Sequence, residues 1–244
     1  MSITVTNPKG REIEFKSQRG QTCGLYALSF VLEYLYDIKI PATSDHRVEG
    51  NHPVSLRKRF KTDEKTMIGE LYDATPTMAK YIHDLEPTKI KCRSEAYDNS
   101  TITSTLNGGG LCMVPFCVDA AGNPEDSGIH VHWCVLQAVQ EEGTRSAVAY
   151  HWGKDHTFDL DQLEKSNKAI KDVKEQYWGK IPAARYDLSI TTNGMNYVQC
   201  RTATDTSCEN WHLLSFPIEP GSIKLIPATR LSRTLAGKML VFEK

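Results

Sequence analysis

The sequence lacks any CxxC pair. Its seven cysteines, Cys23, Cys92, Cys112, Cys117, Cys134, Cys200 and Cys208, are odd in number and irregular in spacing. That argues against a zinc knuckle or a thioredoxin-type motif. Several lie in strand-like apolar runs, where a thiol behaves as a small hydrophobe. Free thiols point to a reducing, cytoplasmic setting, and an effector delivered into a host cytosol would look the same. No run of about 18 apolar residues occurs, so no membrane span is expected. The opening "MSITVTNPKGREIEF" lacks the apolar core of a signal peptide. An excess of one charge is missing too: the formal net charge is -1, which gives no electrostatic pull toward nucleic acid or an anionic membrane. Repeats, low-complexity tracts and linkers are absent, so residues 1–244 are expected to form a single domain. A chain of 244 residues can bury a core without disulfides or metal.

What is present is a sequence of short, legible elements. "ITV" and "EIEF" read as two strands around a Pro-Lys-Gly turn. Cys23 to Asp37 reads as a helix that is apolar around nearly its whole circumference, which is the pattern of a central, buried helix. Residues 38–64, broken by Pro41, Gly50 and Pro53, read as loop or a short helix. Residues 65–84 read as one or two helices interrupted near Pro76. "TKIKCRSEAY" is strand-like, and "DNSTITSTLNGGG" reads as a helix capped by Asn99 or Ser100. A β-rich block follows: "LCMVPFCV", "HVHWCVLQAVQ" and "SAVAYHW". "DLDQLEKSN" is a short helix, residues 170–230 are mixed and polar, and "GKMLVFEK" is a last strand. A helix first and antiparallel-looking strands later make an α+β domain.

The chemistry begins at "GQTCGLYALSFVLEYL". Cys23 opens the apolar helix, where backbone N–H groups lack intrahelical partners and the macrodipole is positive. A thiol there is expected to ionise below its usual value of about 8.5. The preceding "QRGQT" offers Gly20 for a tight turn and two amide side chains, Gln18 and Gln21. An amide N–H₂ together with the Cys23 N–H can hold the oxyanion of a tetrahedral intermediate. The plain alternative is a buried cysteine that merely begins a core helix. A base is found in "GIHVHWCVLQAVQ". Strand alternation puts His130, His132, Cys134 and Leu136 on one face and Ile129, Val131, Trp133 and Val135 on the other. As a metal pair, His130 and His132 have no third ligand nearby in sequence, so neither a metal nor a cofactor is expected.

Together these segments resemble papain-like cysteine peptidases. "QTCGLYAL" resembles their nucleophile segment and "HWCVLQAV" their histidine strand, with the cysteine first in chain order. Within that fold the chain looks most like the C39-like group that includes the actin maturation protease. "GELY" at Gly69–Tyr72, "WGKDHTFDLDQLEKSN" at Trp152–Asn167 and the closing "GKMLVFEK" carry that resemblance. It implies a papain-like fold, the helix bearing the cysteine packed on an antiparallel sheet bearing the histidine. It also implies that Cys23 attacks a carbonyl carbon, that His132 shuttles the proton, and that Gln18, or Gln21 in its place, joins the Cys23 N–H in the oxyanion hole.

The third catalytic member departs from the family pattern. Where an Asn or Asp is usual on the strand after the histidine, this chain has "AVAYHWGKD". Asp155 is the favoured orienter of His132. His151, Asp159 and Asp161 are alternatives, as is a dyad oriented by a backbone carbonyl. An aspartate here also serves well as a helix N-cap, which suits Asp161. The implied function is a thiol hydrolase acting on a protein or peptide substrate, including N-terminal processing of the actin-maturation kind. The same chemistry would serve a glutamine deamidase or acyl-transfer effector, and a catalytically inactive binding module is the reading from another class. "RKRFK" reads as a solvated basic loop, and the four tryptophans as core or cleft wall.

Overall fold

The computed structural model describes residues 2–18, 22–43, 55–63, 65–66, 69–140, 145–172, 187–192, 195–200, 214–218 and 231–244. The two N-terminal strands, β1 (Ser2–Thr6) and β2 (Glu12–Lys16), form an antiparallel hairpin. Ile13 and Phe15 of β2 are buried while their neighbours are exposed, the alternation of a strand covered on one face. Helix α1 runs Cys23–Tyr36 and ends in Asp37 at φ 62. An aspartate tolerates that left-handed position better than most residues. The Asp37 N–H returns to the Glu33 and Leu32 carbonyls, and its carboxylate pairs with Arg11 of the hairpin turn. Leu25, Ala27, Leu28, Val31 and Leu32 are all buried, so α1 is the central helix its composition predicts.

Two local readings need correction. The basic "RKRFK" is helical, within α2 (Leu56–Thr62). Pro76 starts a helix rather than interrupting one: α3 runs Pro76–His83, with the proline where its missing N–H costs nothing. After β3 (Lys91–Ala96), helix α4 (Asn99–Asn107) is capped by Asp98, whose carboxylate accepts from the Thr101 N–H, and not by Asn99 or Ser100. The cap lies one residue earlier because the Asp98 carboxylate also collects the Ser100 and Thr101 hydroxyls.

The remaining elements are β4 (Leu111–Val118), β5 (Pro124–Glu125), β6 (Val131–Gln140), β7 (Ser146–His151), β8 (Lys154–Asp159), α5 (Leu160–Lys168), β9 (Asp187–Thr192), β10 (Met195–Cys200), β11 (Leu214–Ile218), α6 (Leu231–Thr234) and β12 (Lys238–Glu243). Of the polar stretch 170–230, what is described contains β9 to β11, which form their own antiparallel sheet. The main sheet has seven strands in the order β3-β12-β4-β6-β7-β8, with β5 added to β4. Its pairings are antiparallel. The last strand therefore returns to the interior, between β3 and β4.

Helices cover both faces of this sheet. On one, Leu111, Met113, Trp133, Val135, Tyr150, Leu240 and Phe242 pack with α1, α3 and the hairpin. On the other, Cys112, Val114, Phe116, Cys134, Leu136, Ala149 and Phe158 pack with α4 and α5. That accounts for the unbroken burial of β4. The architecture is α+β and of the papain-like type, a central N-terminal helix lying on an antiparallel sheet.

Candidate active site

Pro115 organises the site. It stands in an interior strand, where a residue without an N–H breaks a ladder bond unless it falls at a non-hydrogen-bonded pair. Pro115 faces Trp133 across the β4–β6 register. The pair must then be of the non-hydrogen-bonded kind, which turns the Trp133 N–H away from β4 and toward β7. The β6–β7 ladder begins only at Val135 opposite Tyr150. The start of β6 thus presents a backbone donor to a gap beside β7. The Pro115 carbonyl accepts from buried Asn167 of α5 at 2.7 Å, while Ser166 accepts from the Cys117 N–H and donates to its carbonyl, both at 2.8 Å.

The first residue of α1 fills that gap. Thr22 is the N-cap and its side chain makes no capping bond to the helix, whose first backbone bond is Tyr26 N–H to the Thr22 carbonyl. The Cys23 sulfur is half-buried and receives backbone N–H groups from Trp133, from Gly24 and from Cys23 itself. The sulfur therefore lies against the peptide that joins His132 to Trp133. The cysteine–glycine pair has a packing reason. A Cβ on Gly24 would stand 2.5 Å from the Leu71 Cβ and 3.0 Å from the Trp133 ring. The "GELY" segment passes over this point, with Gly69 at φ +116 facing Thr22 and Arg57, and the Leu71 carbonyl accepting the Trp133 indole N–H at 2.6 Å. Sequence reasoning assigns Trp133 to the core or cleft wall and overlooks that its amide reaches the thiol. The proline in "LCMVPFCV" is the signal that could have pointed to it.

The expected fall in the thiol's pKa is reversed. Burial pushes Cys23 up to about 11, outweighing the three backbone donors that pull it down. His132 is held down to about 3, chiefly by burial, with the neighbouring His156 adding to it. Both groups are neutral at rest. Trp133 points to α1, so the His132 ring takes the opposite face, as the alternation predicts. There it meets Phe116 at 5.9 Å, His151 at 5.1 Å and Trp152 at 5.4 Å between ring centroids. His130 is exposed, just ahead of β6. No group of three His, Cys, Asp or Glu among the described residues is arranged to hold a metal ion.

Asp155 is not brought to His132. It lies on β8 opposite Tyr150, whose side chain belongs to the α1 face, and β7 separates its strand from β6. An exposed position on that face leaves the carboxylate on the wrong side of the sheet. Asp159 caps α5, accepting from the Asp161 and Gln162 N–H groups, and Asp161 accepts from Asn99. His151 is the candidate that does meet His132. Gln18 is half-buried just beyond β2, while Gly20 and Gln21 lie outside the described residues.

Comparison with known proteins gives one family match: residues 13–140 fit the model described as "Actin maturation protease-like, C-terminal domain". No curated protein and no solved structure matches. The matched span runs from β2 to the end of β6 and carries both Cys23 and His132. It covers just over half of the 244 residues, and the chain accordingly belongs to the actin maturation protease-like family.

Proposed function

We infer that this protein is a thiol hydrolase that cleaves a peptide bond of a protein or peptide substrate, with Cys23 as nucleophile and His132 as base. The observation that carries the reading is the Cys23 sulfur at the first residue of α1, set against the amide that follows His132. With both groups neutral, proton transfer accompanies attack rather than preceding it. The sulfur bonds to the carbonyl carbon as its proton passes to the His132 ring across the start of β6, where the ladder to β7 is open. The oxyanion takes the Cys23 N–H and a Gln18 amide donor. The imidazolium then protonates the leaving amine, and water, deprotonated by His132, hydrolyses the thioester. Membership of the C39-like branch, a single domain over 1–244, a cytoplasmic or host-cytosolic setting and processing of acidic N-termini belong to the same proposal.

The raised thiol and the ring-packed histidine favour a second reading, a papain-like module that binds without cleaving. Mass spectrometry on N-acetylated acidic peptides separates the readings. Two fragments, lost in Cys23→Ala, support the hydrolase. A gain of about one dalton in an intact chain means deamidation by the same attack. Retention of unaltered peptide by both wild type and Cys23→Ala supports the binding module.

A further inference from the structure

The face of the sheet opposite α1 holds a cluster that the hydrolase reading does not explain. His151 ends β7, is fully buried, and touches Phe116, His132, Trp152, His156 and Phe158. Its Nε2 lies 2.9 Å from the Gly122 carbonyl. A carbonyl only accepts, so Nε2 carries the proton and Nδ1 is a bare lone pair. That Nδ1 is buried with no hydrogen-bond partner among the described residues. A buried acceptor left unmade is costly, and its presence calls for a donor.

The ring geometry selects which donor. His156 is stacked on His151 at 4.0 Å and 25°, so the two rings present their faces and their in-plane nitrogens cannot meet. His132 is the other imidazole in contact, its centroid 5.1 Å away at 66°; no bond joins the two rings as they stand, but a turn of the His132 ring would bring a ring N–H to the vacant Nδ1. The surroundings are built to keep this arrangement. Gly122, at φ +95, brings its backbone against the rings, and a Cβ there would lie 3.1 Å from His156 and 3.3 Å from both His151 and Trp152. Trp152 adopts φ 53, an uncommon conformation for a bulky residue, while packing on His132 and His151.

We propose that His151, held as its Nε2–H tautomer by the Gly122 carbonyl, is the positioning residue that accepts a ring N–H of His132 once that ring turns toward the vacant Nδ1, and so orients it for Cys23, in the role expected of Asp155. This rests on the hydrolase reading and names the missing member of its machinery. The accepted bond fixes the His132 ring with its other nitrogen free to take the thiol proton. It also stabilises the imidazolium formed during attack without placing a carboxylate in the cluster.

Two measurements test it. Nitrogen-15 NMR of the full chain at pH 7 reads the tautomer directly. His151 is expected as the Nε2–H form, with an Nδ1 signal that moves toward the unbonded position in His132→Ala. An Nδ1–H or doubly protonated His151, or an Nδ1 signal indifferent to His132→Ala, overturns the proposal. Iodoacetamide labelling of Cys23, mapped by mass spectrometry, reads the consequence. His151→Phe keeps the shape without the acceptor and is expected to slow labelling roughly tenfold. His151→Asn places an amide oxygen as many bonds from Cα as Nδ1 and is expected to restore most of the rate. Equal rates in wild type and His151→Phe, or equal losses in His151→Phe and His151→Asn, overturn the positioning role. If His132→Ala leaves labelling unchanged, the hydrolase reading itself has failed, whereas its failure leaves the tautomer result readable on its own.

Discussion

The two faces of the main sheet are built from the same strands and do different work. The α1 face is closed by close packing of carbon on carbon: Gly24 under Leu71, Trp133 against α1, and Phe15, Phe30 and Tyr150 in contact. The α4/α5 face carries three histidines within an aromatic shell, two of them with a buried nitrogen unpaired among the described residues. The first face places the sulfur and the second holds the histidines. They meet only at the start of β6, where successive residues of one strand, His132 and Trp133, turn to opposite sides. A side-chain period of two lets adjacent residues serve two layers, and the open ladder beside β7 lets a group from one layer reach the other.

The largest effect that would break this comparison is loss of the sulfur. Cys23→Ala is expected to reduce peptide cleavage by at least about three orders of magnitude while leaving thermal unfolding nearly unchanged. Unaltered cleavage would remove the α1 face from the chemistry.

Packing on the same face gives the next effect. Gly24→Ala must displace Leu71 or the Trp133 ring, since its Cβ would lie 2.5 Å from the Leu71 Cβ. Overpacking of this kind costs about 1–3 kcal/mol. Calorimetry should show a fall in Tm of roughly 2–10 °C, accompanied by slower labelling of Cys23. A wild-type Tm would mean that the helix start is not tightly seated.

The histidine face has its own signature in pH. His132 and His151 are both held down to about 3, mainly by burial, from ordinary values near 6.5. The unfolded chain therefore takes up protons before the folded one. Their contribution to stability is present above about pH 6.5 and is lost as pH falls toward 3. A series of Tm values from pH 7 to 4 should fall, and fall less steeply in His151→Phe. On the alkaline side, burial raises Cys23 and Cys117 to about 11 and Cys112 to about 12. Stability is accordingly full below the ordinary thiol value near 9 and lost above it, a loss shared by both faces. The acid limb alone separates them.

The smallest effect is the sharpest control. Asp155→Asn is expected to change cleavage by less than about twofold and stability by under about 0.5 kcal/mol, as for a solvated surface position. A large loss would return the orienting role to the carboxylate.

Local pattern reaches far in this chain. The apolar circumference of α1 announces a buried helix, and the alternation in "HVHWCVLQAVQ" is enough to assign His132 and Trp133 to opposite faces. Pro76 and Asp98 are less legible because a proline can begin a helix as readily as end one, and because consecutive Asp, Asn and Ser all make N-caps. The placement of Asp155 away from His132 has a different cause. Chain proximity puts it within reach of His132, but a one-residue offset along a strand reverses the face.

What the sequence determined by itself was chemical: which residue can be a nucleophile at a helix start, which strand holds a base, and which segments are apolar enough to be buried. How those groups are arranged was decided by tertiary structure. Pro115 turns the Trp133 amide toward Cys23, α5 fixes Pro115, and the Gly122 carbonyl sets the tautomer of His151. Burial, which no single segment encodes, reversed the expected ionisation of Cys23. Desolvation depends on every element packed around the sulfur, and the Gly69–Tyr72 segment and the start of β6 come to it from far along the chain.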